Sequence, residues 1–192
     1  LILIIVHSAL YHNVEWKRCF HILSISSLVW TIYCILEIMN PSAVLEGWIL
    51  SRGLIINGLI ITLIASLICT KYKVLKILLF TFSLFTVLAI LKTLVQKYIG
   101  FDTYEIRWLN SGGATTHLIR SGTRYFSFFT DASNMGSNMG GASMILGISS
   151  LFMRNKAFKI YYAIVAIASL YAMMLSGTRG AIIVPLAGLA LY

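Results

Sequence analysis

A chain of 192 residues that is 59% hydrophobic and only 11% charged, with a mean hydropathy of +0.88, cannot cover a soluble domain with polar surface. That excludes a soluble globular domain and points to an integral membrane protein. Its formal net charge of +9 could suggest nucleic acid, but in so apolar a chain the placement of basic residues says more than their sum, and no nucleic-acid partner is expected.

In chain order, the opening LILIIVHSALY (1–11) is too short to cross a bilayer, lacks the charged, apolar and small-residue pattern of a signal peptide, and has no initiator Met. It is expected to be part of a span in a piece of a longer polytopic protein. Complete spans of the roughly 20 residues a helix needs are expected over 19–39, 53–70, 77–95, 136–153 and 160–176. A second partial span is expected at 181–192. The runs are continuous rather than alternating, so the expected fold is all-α, a polytopic transmembrane helical bundle in one domain over 1–192, not a barrel. Cys19, Cys34 and Cys69 fall inside apolar runs without metal spacing and are read as ordinary lipid-buried side chains.

The basic residues orient the bundle. Loops 12–18, 71–76 and 154–159 hold Lys17, Arg18, Lys71, Lys73, Lys76, Arg154, Lys156 and Lys159 with one acid, Glu15. The alternate loops 40–52, 96–135 and 176–180 mix Arg52, Lys97, Arg107, Arg120, Arg124 and Arg179 with Glu46, Asp102, Glu105 and Asp131. The first set is therefore expected to be cytoplasmic and the second outward, or periplasmic in a bacterial inner membrane.

The long outward loop, 96–135, starts amphipathically. KYIGFDTYEIRWL interleaves Tyr98, Phe101, Tyr104, Ile106 and Trp108 with Asp102, Glu105 and Arg107, a pattern suited to lying among lipid headgroups. A Gly-, Ser- and Thr-rich loop follows, then Arg124, an aromatic YFSFF and Asp131, which with Ser133 is a candidate N-cap for the next helix. SNMG repeats at 133–136 and 137–140, so Asn134 stacks under Asn138 and Gly136 under Gly140. The glycine stripe reads as a close helix contact. The amides, at the outward and positive end of a helix, call for polar partners.

SGTR occurs at 121–124 and again at 176–179. In the second copy Gly177 and Gly180 free the backbone, the hydroxyls of Ser176 and Thr178 can donate, and Arg179 offers a planar fork suited to phosphate. For a lone Arg179, snorkelling to the headgroups is the plainer reading. Taken together, Arg124 and Arg179 point to a shared anion site. His117 is the only histidine in an outward loop and so a candidate base, but a solvated loop histidine is the preferred reading.

An outward Arg leading into RYFSFFTDASNMG, then SGTRG one hairpin later, resembles the O-antigen ligase and O-antigen polymerase family over about residues 60–192. The resemblance implies a multi-spanning inner-membrane glycosyltransferase in cell-surface polysaccharide synthesis, without nucleotide sugar, metal or other cofactor. Its donor would be a glycan on undecaprenyl pyrophosphate, its acceptor a glycan or lipid A–core, and its surroundings membrane lipid. By motif position Arg124 and Arg179 would bind the pyrophosphate, with Arg120 a further position. Ser176, Thr178, Gly180, Asp131 and Asn134 would support them. The family's helix start reads Asp-Pro-Asn where this chain has Asp131, Ala132, Ser133, Asn134, which leaves ligase against polymerase open. The family's catalytic His would lie beyond residue 192. The rival reading is a transporter or flippase for an anionic or lipid-linked substrate, which would want ionisable groups at mid-membrane; no such acid or charge pair stands there.

Overall fold

The computed structural model describes residues 15–39, 45–69, 71–119 and 122–191. Apart from one antiparallel pair of two-residue strands, its regular structure is helical, in keeping with the all-α expectation. The partial span expected at 1–11 lies outside the described residues, as does Arg120. The chain divides into two compact units, Leu1–Ile77 and Leu78–Tyr192.

In the first unit α1 (Ile22–Leu36) packs on α2 (Leu45–Ile68). The His21 ring caps α1 by accepting from the Ser24 amide and lies 2.5 Å from the Ser66 hydroxyl; further along, Ser27 meets Thr62 at 3.3 Å. Apolar contact gives helices little reason to associate where the solvent is also apolar, so small and hydroxylated residues supply the seam. The helix α2 begins at Leu45, inside the outward loop expected over 40–52. LEGWILSR holds one glycine and no proline, so helical preference runs on past the point where hydropathy falls.

The second unit holds most of α3 (Tyr72–Tyr98), followed by α4 (Thr103–Trp108), a π-helical turn over Leu109–Gly113 and α5 (Ala114–His117). Strands β1 (Leu118–Ile119) and β2 (Gly122–Thr123) come next, then α6 (Ala132–Phe152), α7 (Lys156–Leu175), a 3-10 turn over Arg179–Ile182 and α8 (Ile183–Leu191). The expected spans at 77–95, 136–153, 160–176 and 181–192 thus correspond to helices. Those at 77–95 and 160–176 are overrun at their basic starts, because lysine is a good helix former even outside hydrocarbon. The described residues of the stretch 96–135 are folded rather than an open loop.

Helices α6 and α7 form the heart of this unit, burying Met135, Met139, Leu146, Tyr162, Val165, Ala172 and Met173 with Ala89 and Ile90 of α3. Helices α3 and α7 run parallel. Phe80 stacks edge-on against Phe158 and Ser83 meets Tyr161 near their starts, while the Lys97 ammonium donates to the Tyr171 hydroxyl near their ends. The buried hydroxyls of Thr86, Thr93, Ser143 and Ser169 each donate to a carbonyl three or four residues back. Among the described residues no buried side-chain nitrogen or oxygen lacks a partner.

Two helices, α3 with 27 residues and α7 with 20, are long and apolar enough to cross a membrane. Their most apolar stretches are only 22% and 33% buried inside the protein, whereas the core helix of a soluble domain would be mostly covered. Cys19 is buried, Cys34 intermediate and Cys69 exposed, so only the first is an interior side chain.

Candidate functional site

The site is built on the end of α7. Ser176 closes that helix, Gly177 turns the chain with φ +63°, and Thr178 leads into the 3-10 turn that opens with Arg179. A side chain at Gly177 would have to adopt a left-handed conformation, and its Cβ would come within 3.0 Å of Arg124 Cγ. The arginine lies directly over this turn.

Strands β1 and β2 bring Arg124 there. Beyond β2 the Arg124 amide donates to the His117 carbonyl at 2.8 Å and the Tyr125 amide to the Leu175 carbonyl at 3.3 Å, which stitches the segment to the end of α7. The guanidinium then gathers three pieces of chain. Nε donates to the Ser176 carbonyl at 3.2 Å, Nη1 to the Thr116 carbonyl at 3.2 Å, and Nη2 to Ser133 Oγ at 3.1 Å and Thr178 Oγ1 at 2.9 Å. Every acceptor is neutral, and among the described residues no carboxylate pairs with it. Of its five N–H donors, four are in use.

Arg124 is therefore a clasp as well as a cation, a role its place in a Gly-rich loop did not reveal. Ser176 and Thr178 also differ from expectation. Ser176, fully buried, donates its hydroxyl to the Met173 carbonyl and accepts from the Thr178 amide. Thr178 donates its hydroxyl to the Ala132 carbonyl while accepting from Arg124. Both hydroxyl hydrogens are engaged in building the turn. Gly180 is exposed, and a Cβ there would meet nothing within 4 Å, so the backbone does not require glycine at that position. Arg179 is exposed, and no described group bonds to its side chain.

The start of α6 abuts the same turn. A Cβ on Gly136 would sit 2.5 Å from Ser176 Oγ, 3.1 Å from Ala181 Cβ and 3.2 Å from Thr178 Cβ, so the glycine stripe is a close contact, as read. Asp131 is the N-cap, accepting from the Asn134 amide at 2.8 Å, so its own carboxylate already answers the positive end of α6. Asn134 is exposed, its side chain donating to Thr130 Oγ1.

His117 is not solvated. It is 2% exposed, wedged edge-on against Trp108 and Phe126 with ring centres 5.0 Å away. Nδ1 faces the Gly113 carbonyl at 2.9 Å, and a carbonyl can only accept, so Nδ1 carries the proton. Nε2 then accepts from the Ala132 amide at 3.1 Å. With both nitrogens bound inside the fold, it is a strut under the start of α6 rather than a base. The sequence signal for this was the aromatic company that became its cage.

A second polar cluster fixes the loop from beneath. Gln96, 2% exposed, donates to the Ser127 carbonyl and accepts from the Ser127 amide. Ser127 stands at φ +54°, and its hydroxyl donates to the Ala89 carbonyl. Gln96 also donates to Glu105, which with Asp102 flanks the Lys92 ammonium at 2.8 Å on each side. Lys92 thus turns toward two acids. A capping box between Asp102 and Glu105 starts α4, and the Lys92 hydrogen bond, then the Glu105 backbone amide, hold the Asp102 carboxyl below its ordinary range. The amphipathic segment divides accordingly. Phe101 stacks on Tyr125 and Phe126 inside the loop cluster, while Tyr98, Tyr104 and Ile106 remain exposed.

Among the described residues no group of three or more His, Cys, Asp or Glu side chains is placed to hold a metal ion. No protein-family model, no curated protein and no solved structure matches this chain.

Proposed function

We propose that the chain is a membrane glycosyltransferase of the O-antigen ligase or polymerase type. It would move a glycan from undecaprenyl pyrophosphate to a glycan or lipid A–core acceptor at the periplasmic face of a bacterial inner membrane. On this reading the bundle has about five complete spans and two partial ones. Loops 12–18, 71–76 and 154–159 face the cytoplasm, while the folded stretch 96–135 faces outward.

One observation carries the proposal: the arginine that ends the first SGTR lies on the turn made by the second, where Arg124 binds the backbone of Ser176 and the side chain of Thr178 and Arg179 is exposed at the next position. Two guanidinium groups with no carboxylate partner among the described residues suit a diphosphate. The parallel course of α3 and α7, with α6 returning between their ends, agrees with the loop charges. The acceptor hydroxyl attacks the anomeric carbon. The bond from that carbon to the bridging oxygen breaks with its electron pair on the oxygen, and the two guanidinium groups stabilise the charge that develops there. The hydroxyl proton passes to a general base other than His117.

The test is glycan transfer from an undecaprenyl-pyrophosphate donor by the full chain in lipid nanodiscs. Arg179→Lys should lower turnover by about 10²-fold or more, the scale of losing a donor to the developing charge, with an unchanged melting temperature because none of the described residues leans on that side chain. Arg124→Lys should lower both turnover and melting temperature. Full activity in both variants removes the diphosphate role. Movement of the lipid-linked substrate across the bilayer without formation of a glycosidic bond would favour transport.

A further inference from the structure

We propose that the exposed polar face on the first two turns of α6 is a carbohydrate subsite, taking the sugar attached directly to the carrier diphosphate. This rests on the function proposed above and adds the part of the substrate that the arginines do not touch.

Helix α6 is two-sided in an unusual way for an apolar chain. Ala132, Met135, Gly136, Met139 and Gly140 are buried, while Ser133, Asn134, Ser137 and Asn138 are exposed. One turn beyond Gly141 the exposed side becomes apolar at Ile145. The polar strip is confined to the end of the helix that meets the arginines. At the bilayer edge amides and hydroxyls seek polar partners, and an uncharged polar strip beside the arginines suits a polar occupant.

The strip keeps unused hydrogen-bonding capacity. Asn134 gives one amide hydrogen to Thr130, and Asn138 gives its amide to the Asn134 carbonyl and Oδ1. Among the described residues nothing donates to Asn138 Oδ1, nothing accepts the Ser133 hydroxyl hydrogen, and the second Asn134 amide hydrogen has no acceptor. Mixed donors and acceptors without net charge match the neighbouring hydroxyls of a sugar, whereas an ion would want charge and a lipid tail would want neither. Asn134 and Asn138 are about 6 Å apart along the helix, a spacing comparable with one pyranose ring.

Position gives the order of the groups. Arg124 Nη2 donates both to Thr178, beside Arg179, and to Ser133, the first residue of the strip. A sugar one bond away from a diphosphate at the arginines therefore arrives at Ser133 and Asn134.

The experiment measures affinity of the full chain in nanodiscs for bare undecaprenyl pyrophosphate and for the same carrier bearing glucose, galactose, N-acetylglucosamine or N-acetylgalactosamine. Wild type should bind at least one glycosylated carrier more tightly than the bare one. The double variant Asn134→Ala with Asn138→Ala should lose about tenfold on that carrier, as a lost hydrogen-bonded pair brings, and nothing on the bare one. Both positions are exposed and alanine favours helix, so a melting curve should show the variant folded; Asn138→Gln, which keeps the amide, should recover part of the affinity. Wild type that binds the bare carrier as tightly as all four others, or a double variant equal to wild type, removes the subsite alone. Equal loss on bare and glycosylated carriers also removes it, and marks the strip as a packing surface for another helix. Wild type that binds no carrier removes the diphosphate reading and the subsite with it.

Discussion

Replacing Gly136 by alanine tests the central packing relation, the seating of α6 on the turn after α7. The new methyl would stand 2.5 Å from Ser176 Oγ and within 3.2 Å of both Ala181 and Thr178. Ser176 is fully buried and held by two hydrogen bonds, so it cannot swing away freely. Overpacking of this kind costs about 1–3 kcal/mol, and each hydrogen bond given up adds about 0.5–1.5 kcal/mol. Against this, alanine in place of glycine inside a helix returns about 1 kcal/mol. The net is a destabilisation of about 1–3 kcal/mol. Gly141 is the matched control, because a Cβ there meets nothing within 4 Å and only the helical gain of up to about 1 kcal/mol remains. The two variants should thus differ by about 2–4 kcal/mol, or about 4–16 °C in melting temperature for a chain of this size. Thermal unfolding in detergent micelles, followed by tryptophan fluorescence, measures the gap. Transition temperatures within about 1 °C of each other would refute the seating described for α6.

Two further variants probe the struts around the site. His117→Phe keeps a ring in the aromatic cage but strands the Ala132 amide, at about 1–3 kcal/mol, and leaves the Gly113 carbonyl to the Thr116 hydroxyl. It should lower the melting temperature and speed hydrogen exchange over the first turn of α6, and unchanged exchange would contradict the strut. For Asp102, a folded pKa below the ordinary aspartate value means its contribution is complete above that ordinary value and is lost as pH falls through the folded one. Exchange protection of α4 should therefore hold from neutral to mildly acidic pH and fall only in stronger acid. Asp102→Asn should flatten that dependence, and an acid profile identical to wild type would show that another group is responsible.

The helices were legible because hydropathy and helical preference are local properties. Met135, Met139 and Leu146 share a buried face that spacing alone predicts, and Asp131 announces its helix by the ordinary chemistry of an N-cap. The glycine stripe was legible for the same reason, since four-residue spacing fixes a face. What escaped was long-range and polar. Gln96 meets Ser127 across 31 positions and Arg124 meets Ser176 across 52, and neither pairing leaves a period in the sequence. The stretch 96–135 looked open because glycine, serine and threonine mark loops whether the loop is extended or pinned. Hydropathy also registers solvent preference rather than helix, which is why α2 and α3 begin earlier than the apolar runs.

The clasp at Arg124 has an electrostatic consequence. Carbonyl and hydroxyl dipoles hold the guanidinium in place without neutralising it, as a carboxylate would, so a net positive charge remains to act beyond its hydrogen bonds. At 6 Å, with an effective dielectric near 20, one unit charge attracts an opposite one by about 3 kcal/mol. Such a group can draw an anion to the turn, and repel metal ions and amines, before it touches any of them.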